Sequence, residues 1–566
     1  YGGGSYLVTE KYIFCVLDAD QRVYAFNRDS EKLIPISPEN SEAKTSWRYA
    51  DFCWDALRQR LICVREDHTL SEQFERTEIV AITPESASVQ VLVTGADFYC
   101  NPRLSPDASK LSYICWNHPL MPWDGTELYV ASFNEDGSIA SSEHIAGCES
   151  ESVLQPLWSP SGELFFVSDR NNWWNIYRHT PTGAELMCDL PAEFATPQWT
   201  FGMRSYGFLN EYSILCGYSQ DGKWSLGTID LTTKTLSTIG IDLRDISGIF
   251  CGDNFNSDGR AVFLAGNSHQ NTRLLYFKND QLSVIAQTSS ASLMKEDISV
   301  AQPVSFATSD GETANGFYYP PTNSKICGPD FTKPPLIVMC HGGPTGATES
   351  SLNMKIQFWT HRGFAVLDVN YRGSTGYGRE YRDRLKNKWG VTDVIDVCSG
   401  ADYLVSRGLV DKDKLAIRGS SAGGYTVLAA LTFQNTFKAG ASLYGIGDLE
   451  ALARDTHKFE AHYLDGLIGQ YPDDIATYRA RSPIYHVDKL NCPVIFLQGL
   501  KDKVVPPNQA EAMVTALKQK GIKTVYVTFE DEGHGFRQAA SIAKAITAEL
   551  DFYQSIFAEV PEAIAS

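Results

Sequence analysis

The chain has 566 residues, 43% hydrophobic and 21% charged, with a formal net charge of −19. That length exceeds what one hydrophobic core supports, so an ordinary globular protein of at least two domains is expected. The acid excess argues against nucleic acid as a partner, and no run of about eighteen apolar residues offers a membrane span.

The opening "YGGGSYLVTE" has neither Met nor a signal-like stretch, and is expected to lie partway into a longer architecture. Thirteen cysteines are scattered without Cys-x-x-Cys pairs, many beside apolar residues, as in "LICV" and "LIVMC". They predict buried free thiols in a reducing, cytoplasmic setting, although a signal peptide ahead of the first residue lies beyond what the sequence can report.

Up to about residue 295, short apolar runs follow polar turns: "FCWDALRQRLICVRED" (52–67), "LSPDASKLSYICWN" (104–117), "WSPSGELFFVSD" (158–169) and "FNSDGRAVFLAGNS" (255–268). Asp, Gly, Ser and Pro suit tight turns, and β-branched or aromatic runs suit half-buried strands. Recurrence at about fifty residues with almost no helical periodicity predicts an all-β domain over 1–295. It reads as a β-propeller of five or six blades, its first blade or blades expected to be missing. A β-sandwich with long loops is the plainer alternative, and the repeat disfavours it.

From 296 to 566 the pattern changes to apolar strands alternating with amphipathic helices. Strands are predicted at 334–340, 364–370, 414–419, 439–445, 493–499 and 523–530, and helices within 391–408 and 508–521. Continuous apolar strands with helical crossovers indicate an α/β-hydrolase-type domain with a mostly parallel sheet, covered on both faces.

Within it, "KLAIRGSSAGGYT" (414–426) runs strand, Gly-Ser-Ser-Ala-Gly, helix. A sharp strand-to-helix turn projects its central side chain above the sheet, which makes Ser421 the candidate nucleophile and Ser420 its neighbouring rival. A serine hydroxyl needs a base, and that base needs a carboxylate to orient it. Asp502 in "QGLKDKVVPP" and His534 in "EDEGHGF" each follow a late strand, in the chain order this architecture requires. Asp531 and Glu532 lie in the loop of His534 and are poorly placed to reach its far nitrogen. Asp473 and Asp474 read as a solvated turn, and His341 as a residue shaping its loop; His457 and His462, in "RDTHKFEAHYLDG", could border a pocket, with ordinary helix or lid histidines as the plainer reading. For the oxyanion hole the N–H of Ala422 is one arm, and "MCHGGPTG" supplies the second through Gly343, with Gly342 not separable by spacing. No grouping of His, Cys and carboxylates has metal spacing, and the chemistry requires no cofactor.

Together "HGGPTG", "NYRGSTGYG", "GSSAGGYT", "QGLKDKVVPP" and "EGHGF" resemble the prolyl oligopeptidase family of serine peptidases, on the side of its acylaminoacyl-peptidases and bacterial dipeptidyl- or aminopeptidases. The resemblance implies a seven-bladed propeller capping the hydrolase domain and a site between them that admits short peptides. It gives Ser421, His534 and Asp502 the roles of nucleophile, base and orienter. It departs at Val504, where several relatives carry a polar residue that holds the substrate's backbone. Acidic propeller residues bind the substrate's amino terminus in the family's exopeptidases; Glu66 and Asp67 are in range of that role, but a solvated loop suits them better. The expected activity is exopeptidase cleavage of short peptides through an acyl-enzyme, and a homo-oligomer is compatible with it. A carboxylesterase with the same triad, or a propeller scaffold with a silent hydrolase domain, are the alternatives.

Overall fold

The structure, a computed structural model, describes residues 2–39, 47–69, 71, 74–252 and 259–558. Six four-stranded antiparallel sheets follow one another from Tyr6 to Gln287, each a meander of sequence neighbours. Their first strands begin at Tyr6, Trp47, Phe98, Val153, Tyr206 and Asp245. Three of the quoted polar turns close the first hairpin of a blade, and that of the fourth segment falls in 253–258, outside the described residues. Blades stack face to face, so their middle strands are buried on both sides: Leu61, Ile62, Cys63 and Val64 are all 0–1% exposed.

Leu7, Trp54, Leu104, Trp158, Phe208 and Ile249, one from each blade, line a common cavity of about 510 Å³. Six sheets therefore ring one axis. The resemblance implies seven, and six are present among the described residues. Among the described residues none beyond Gly252 lines this cavity, so it belongs to the propeller and is separate from the chemistry described below. Gly2–Gly3 pairs in parallel with Thr200–Phe201, tying the opening residues to the link between the fourth and fifth blades.

The last propeller strand ends at Gln287, and an eight-stranded sheet begins at Gln302. We number its strands β1 (Gln302–Ala307), β2 (Thr313–Tyr319), β3 (Leu336–Cys340), β4 (Ala365–Asn370), β5 (Leu415–Ser420), β6 (Ala439–Leu443), β7 (Val494–Gly499) and β8 (Thr524–Phe529). The spatial order is β1-β2-β4-β3-β5-β6-β7-β8. β1, β2 and β4 pair antiparallel and all later neighbours are parallel. The six predicted strands are β3 to β8; the hairpin of β1 and β2 was not foreseen. The order reverses between β3 and β5, and a crevice beyond the carboxyl ends of strands forms at such a point. Helices α1 (Thr392–Ser406), α2 (Ala422–Phe433), α3 (Leu449–Arg454), α4 (Tyr463–Leu467), α5 (Asn508–Gln519) and α6 (Ala539–Phe557) flank the sheet or its carboxyl rim. The helices predicted within 391–408 and 508–521 are α1 and α5.

The two regions meet through directional contacts. Asp169 of the propeller accepts from Arg379 and Arg382 at 2.8 and 2.7 Å, and buried Glu193 accepts from the Gly378 N–H at 3.0 Å. Trp199 Nε1 donates to the Thr345 carbonyl at 2.7 Å, just past the "HGGP" loop. All thirteen cysteines are unpaired; Cys148 and Cys327 are exposed, against the expectation of burial. Among the described residues no helix is long and apolar enough to cross a membrane.

Candidate active site

β5 ends at Ser420 and α2 starts at Ala422, so Ser421 alone makes the turn. Its φ of 56° and ψ of −122° are a strained conformation that the surroundings must enforce. They do so by hydrogen bonds from Ser421 N to the Leu443 carbonyl (3.0 Å) and from Tyr425 N to the Ser421 carbonyl (3.1 Å). Close backbone approach does the rest. A Cβ on Gly419 would lie 2.3 Å from the Gly423 carbonyl oxygen, and one on Gly423 would lie 2.2 Å from that of Cys340. Only glycine fits at either position.

Asp502 follows β7 and His534 follows β8, and both converge on this turn. His534 Nε2 lies 3.0 Å from Ser421 Oγ, and its Nδ1 lies 2.8 Å from Asp502 Oδ2. Since the carboxylate only accepts, Nδ1 carries the proton and Nε2 presents its lone pair to the hydroxyl. Asp502 is buried, and its Oδ1 accepts the N–H groups of Val504 and Val505, both at 2.9 Å. The ring of Tyr444 packs edge-on against His534 at 4.9 Å. Such a relay can draw the proton off a hydroxyl as it attacks a carbonyl carbon.

Gly343, Ser421 and Ala422 line one small cavity, about 40 Å³ on the measure that gives about 510 Å³ for the propeller cavity. Ala422 opens α2, where first-turn N–H groups lack intrahelical acceptors. Trp389, Ile446, Leu452, Tyr463, Leu464 and Val505 make the rest of the cavity largely apolar, and Glu460 is the one carboxylate lining it among the described residues. Val504 also lines it.

The rival residues are occupied elsewhere. Asp531 pairs with Lys501 at the surface, and Glu532 accepts the N–H groups of Arg537 and Gln538. Asp474 takes the N–H of Gln470, His462 pairs with Asp465, and His457 lies 3.3 Å from Glu460. Glu66 faces His68, and Asp67 is bonded to Thr69 and Arg76. His341 lies under its own loop, with Nδ1 2.8 Å from the Gly342 carbonyl, Nε2 2.7 Å from Ser374 Oγ, and the ring stacked on Tyr371 at 4.3 Å. Burial drives its pKa down to about 4, so it stays neutral and shapes the loop. The "NYRGSTGYG" stretch is structural in the same way, with Arg372 bonded through Nε and Nη2 to buried Asp396. Sequence reasoning placed a pocket border in this stretch only through His457 and His462, and missed the residues of 452–464 that do line it, including Glu460. Its clue was a mixed aromatic and charged stretch, "HKFEAHYLDG", with neither helical nor strand period.

The model of the prolyl oligopeptidase family matches residues 350–559. Across 99% of its length the chain is similar to the structure of a puromycin-hydrolyzing peptidase from Mycobacterium tuberculosis, of which it covers 87%, at 35% identity and a TM-score of 0.93. It is 30% identical over 242 residues, 41% of this chain, to dipeptidyl aminopeptidase BIII of Pseudoxanthomonas mexicana. It is 29% identical over 273 residues, 46% of this chain, to acylamino-acid-releasing enzyme 1 of Oryza sativa subsp. japonica. The matched stretch spans 35% and 34% of the lengths of those two relatives. With sequence and propeller-plus-hydrolase fold agreeing over nearly its whole length, the chain belongs to the prolyl oligopeptidase family of peptidases.

Proposed function

We propose that the chain is a serine exopeptidase that cleaves short peptides and aminoacyl amides through an acyl-enzyme on Ser421. His534 Nε2 takes the hydroxyl proton as Oγ attacks the carbonyl carbon, and Asp502 holds the ring and stabilises the imidazolium that forms. The N–H groups of Ala422 and Gly343 receive the oxyanion of the tetrahedral intermediate. His534 then protonates the departing amine, and a water, deprotonated by the same nitrogen, releases the acyl group. We assign residues 1–295 to the propeller unit and 296–566 to the catalytic unit.

The observation that carries this reading is the unbroken chain of 3.0 and 2.8 Å contacts from Ser421 through His534 to Asp502, opening onto a walled cavity. The apolar lining favours an apolar or aromatic side chain on the acyl residue. Glu460, the carboxylate in that lining, suits a free α-ammonium better than an acylated terminus. Similarity to a peptidase described as puromycin-hydrolyzing supports small amides as substrates.

Phenylalanyl anilide, its N-acetyl form and a simple phenyl ester make the test. The reading expects turnover of the free-amine anilide, little of the acetylated one, and loss of activity with fluorophosphonate labelling in Ser421→Ala. Turnover of the ester alone would identify a carboxylesterase. Undiminished anilide turnover in Ser421→Ala would falsify the assignment of the nucleophile.

A further inference from the structure

Leu452, Thr456, Glu460, Ala461, Tyr463 and Leu464 bring one stretch of chain, 452–464, to the cavity that holds Ser421. It runs from the end of α3, a helix of six residues, through a 3-10 turn of three (Lys458–Glu460) into the start of α4, a helix of five. Segments this short do not hold a shape by themselves.

Much of what holds this stretch comes from the propeller. Lys458 is only 5% exposed. Its Nζ donates to the carbonyls of Glu75 and Asp97, both at 2.6 Å, and lies 3.2 Å from Thr77 Oγ1. These three acceptors match the three N–H groups of an ammonium, which also sits 4.7 Å from the centre of the Phe98 ring. The Lys458 carbonyl is bonded to His118 Nε2 at 2.9 Å. Phe459 packs edge-on to Phe98 at 5.9 Å, and Tyr463 packs on Trp123 and Trp199 at 5.5 and 5.6 Å. So the 3-10 turn sends its lysine and phenylalanine into the propeller and presents its glutamate to the cavity.

None of the three acceptors is a carboxylate. Burial accordingly holds the ammonium below the ordinary lysine range, with Glu75 and Asp97 pulling the other way. An ammonium desolvated among neutral acceptors is a poor source of stability, and a methionine would pack on Phe98 as well. What it supplies is register: three directional bonds are satisfied together at only one position of the turn.

We propose that Lys458 is a positioning residue for the substrate pocket, so that the 452–464 wall takes its binding shape only while the propeller is seated on the hydrolase. This rests on the peptidase reading above. Ser421, Ala422, His534 and Asp502 lie outside the wall, so their reactivity toward a very small reagent is independent of it.

Lys458→Met and, on the propeller side, Thr77→Val test this in the full chain. Two readouts are taken: KM and kcat for the anilide, and labelling of Ser421 by diisopropyl fluorophosphate with and without the tripeptide Phe-Gly-Gly as protector. Lys458→Met is expected to raise KM and the protecting concentration of tripeptide about tenfold or more, with kcat changed less and unprotected labelling at the wild-type rate. Thr77→Val should move both in the same direction by about two- to threefold. Unchanged KM and protection in folded Lys458→Met would overturn the proposal. So would labelling that falls in step with anilide turnover, the mark of a general structural role. If Lys458→Met does not fold, Thr77→Val decides alone, and an unchanged value there overturns it. Failure of the wild type to cleave the anilide counts against the peptidase reading, whereas protection by tripeptide reports on the wall without turnover.

Discussion

Asp502 commits both carboxylate oxygens, one to the N–H groups of Val504 and Val505 and the other to His534. Asp502→Asn would turn an amide N–H toward Nδ1 or force the other tautomer, moving the lone pair away from Ser421. We expect kcat for the anilide to fall about 10³- to 10⁴-fold with melting little changed, measured by steady-state kinetics beside a thermal scan. Glu460→Gln keeps the shape of the pocket and removes its charge. It should lower kcat/KM for the free-amine anilide about tenfold while leaving the acetylated one within twofold. Equal losses on both substrates would dissociate Glu460 from the ammonium. That Ser421, His534 and Asp502 converge could be read from sequence because the architecture dictates where they stand, each directly after a strand and in a set order. Glu460 and Lys458 could not, since charged side chains in an aperiodic stretch read as solvated until the propeller is placed over them.

At the scale of elements, the turn between β5 and α2 depends on two missing methyl groups more than on any attraction. Gly423→Ala sets a Cβ against the Cys340 carbonyl, backbone that cannot yield as a side chain could. The expected cost is about 3 kcal/mol or more, seen as a lowered melting temperature or insoluble expression, with residual soluble protein unlabelled by fluorophosphonate. Strands β3 to β8 were predicted with ends within two residues of those observed, because buried parallel strands leave long apolar runs bounded by turns. The β1–β2 hairpin escaped because "SFATSDGETANGFYY" carries the same turn-then-strand layout as the blades before it. Antiparallel pairing imposes that pattern in either setting.

Across the whole molecule, the charged contacts between propeller and hydrolase include a carboxylate with an unusual proton affinity. Burial lifts the Glu193 carboxyl from its ordinary 4.5 to about 7, while Arg382 and the N–H groups of Trp174 and Gly378 pull it down. Between those two values an unfolded chain gives up the proton that the folded chain keeps. The stability contributed by this group is therefore full below about 4.5 and lost by the time pH has risen through 7. Glu193→Gln removes that drift. Its melting temperature relative to wild type should move in the variant's favour from pH 5 to pH 8, even though one N–H acceptor is lost at every pH. A difference that stays flat, or moves the other way, would mean that Glu193 is ionised throughout. The propeller itself could be read from the regular return of its turns. Its contacts with the hydrolase could not, because Asp169, Glu193, Trp199 and Lys458 find their partners more than a hundred residues away.

The indole of Trp199 reaches the Thr345 carbonyl beside the glycine loop, and the same ring packs on Tyr463 in the pocket wall. Hydrolases of this kind are therefore poor candidates for modular exchange. A chimaera carrying a relative's propeller would inherit a foreign ceiling over its own catalytic floor. Restoring specificity in such a hybrid would begin with transplanting the aromatic rings and backbone acceptors beneath that ceiling, before any residue that touches the substrate is altered.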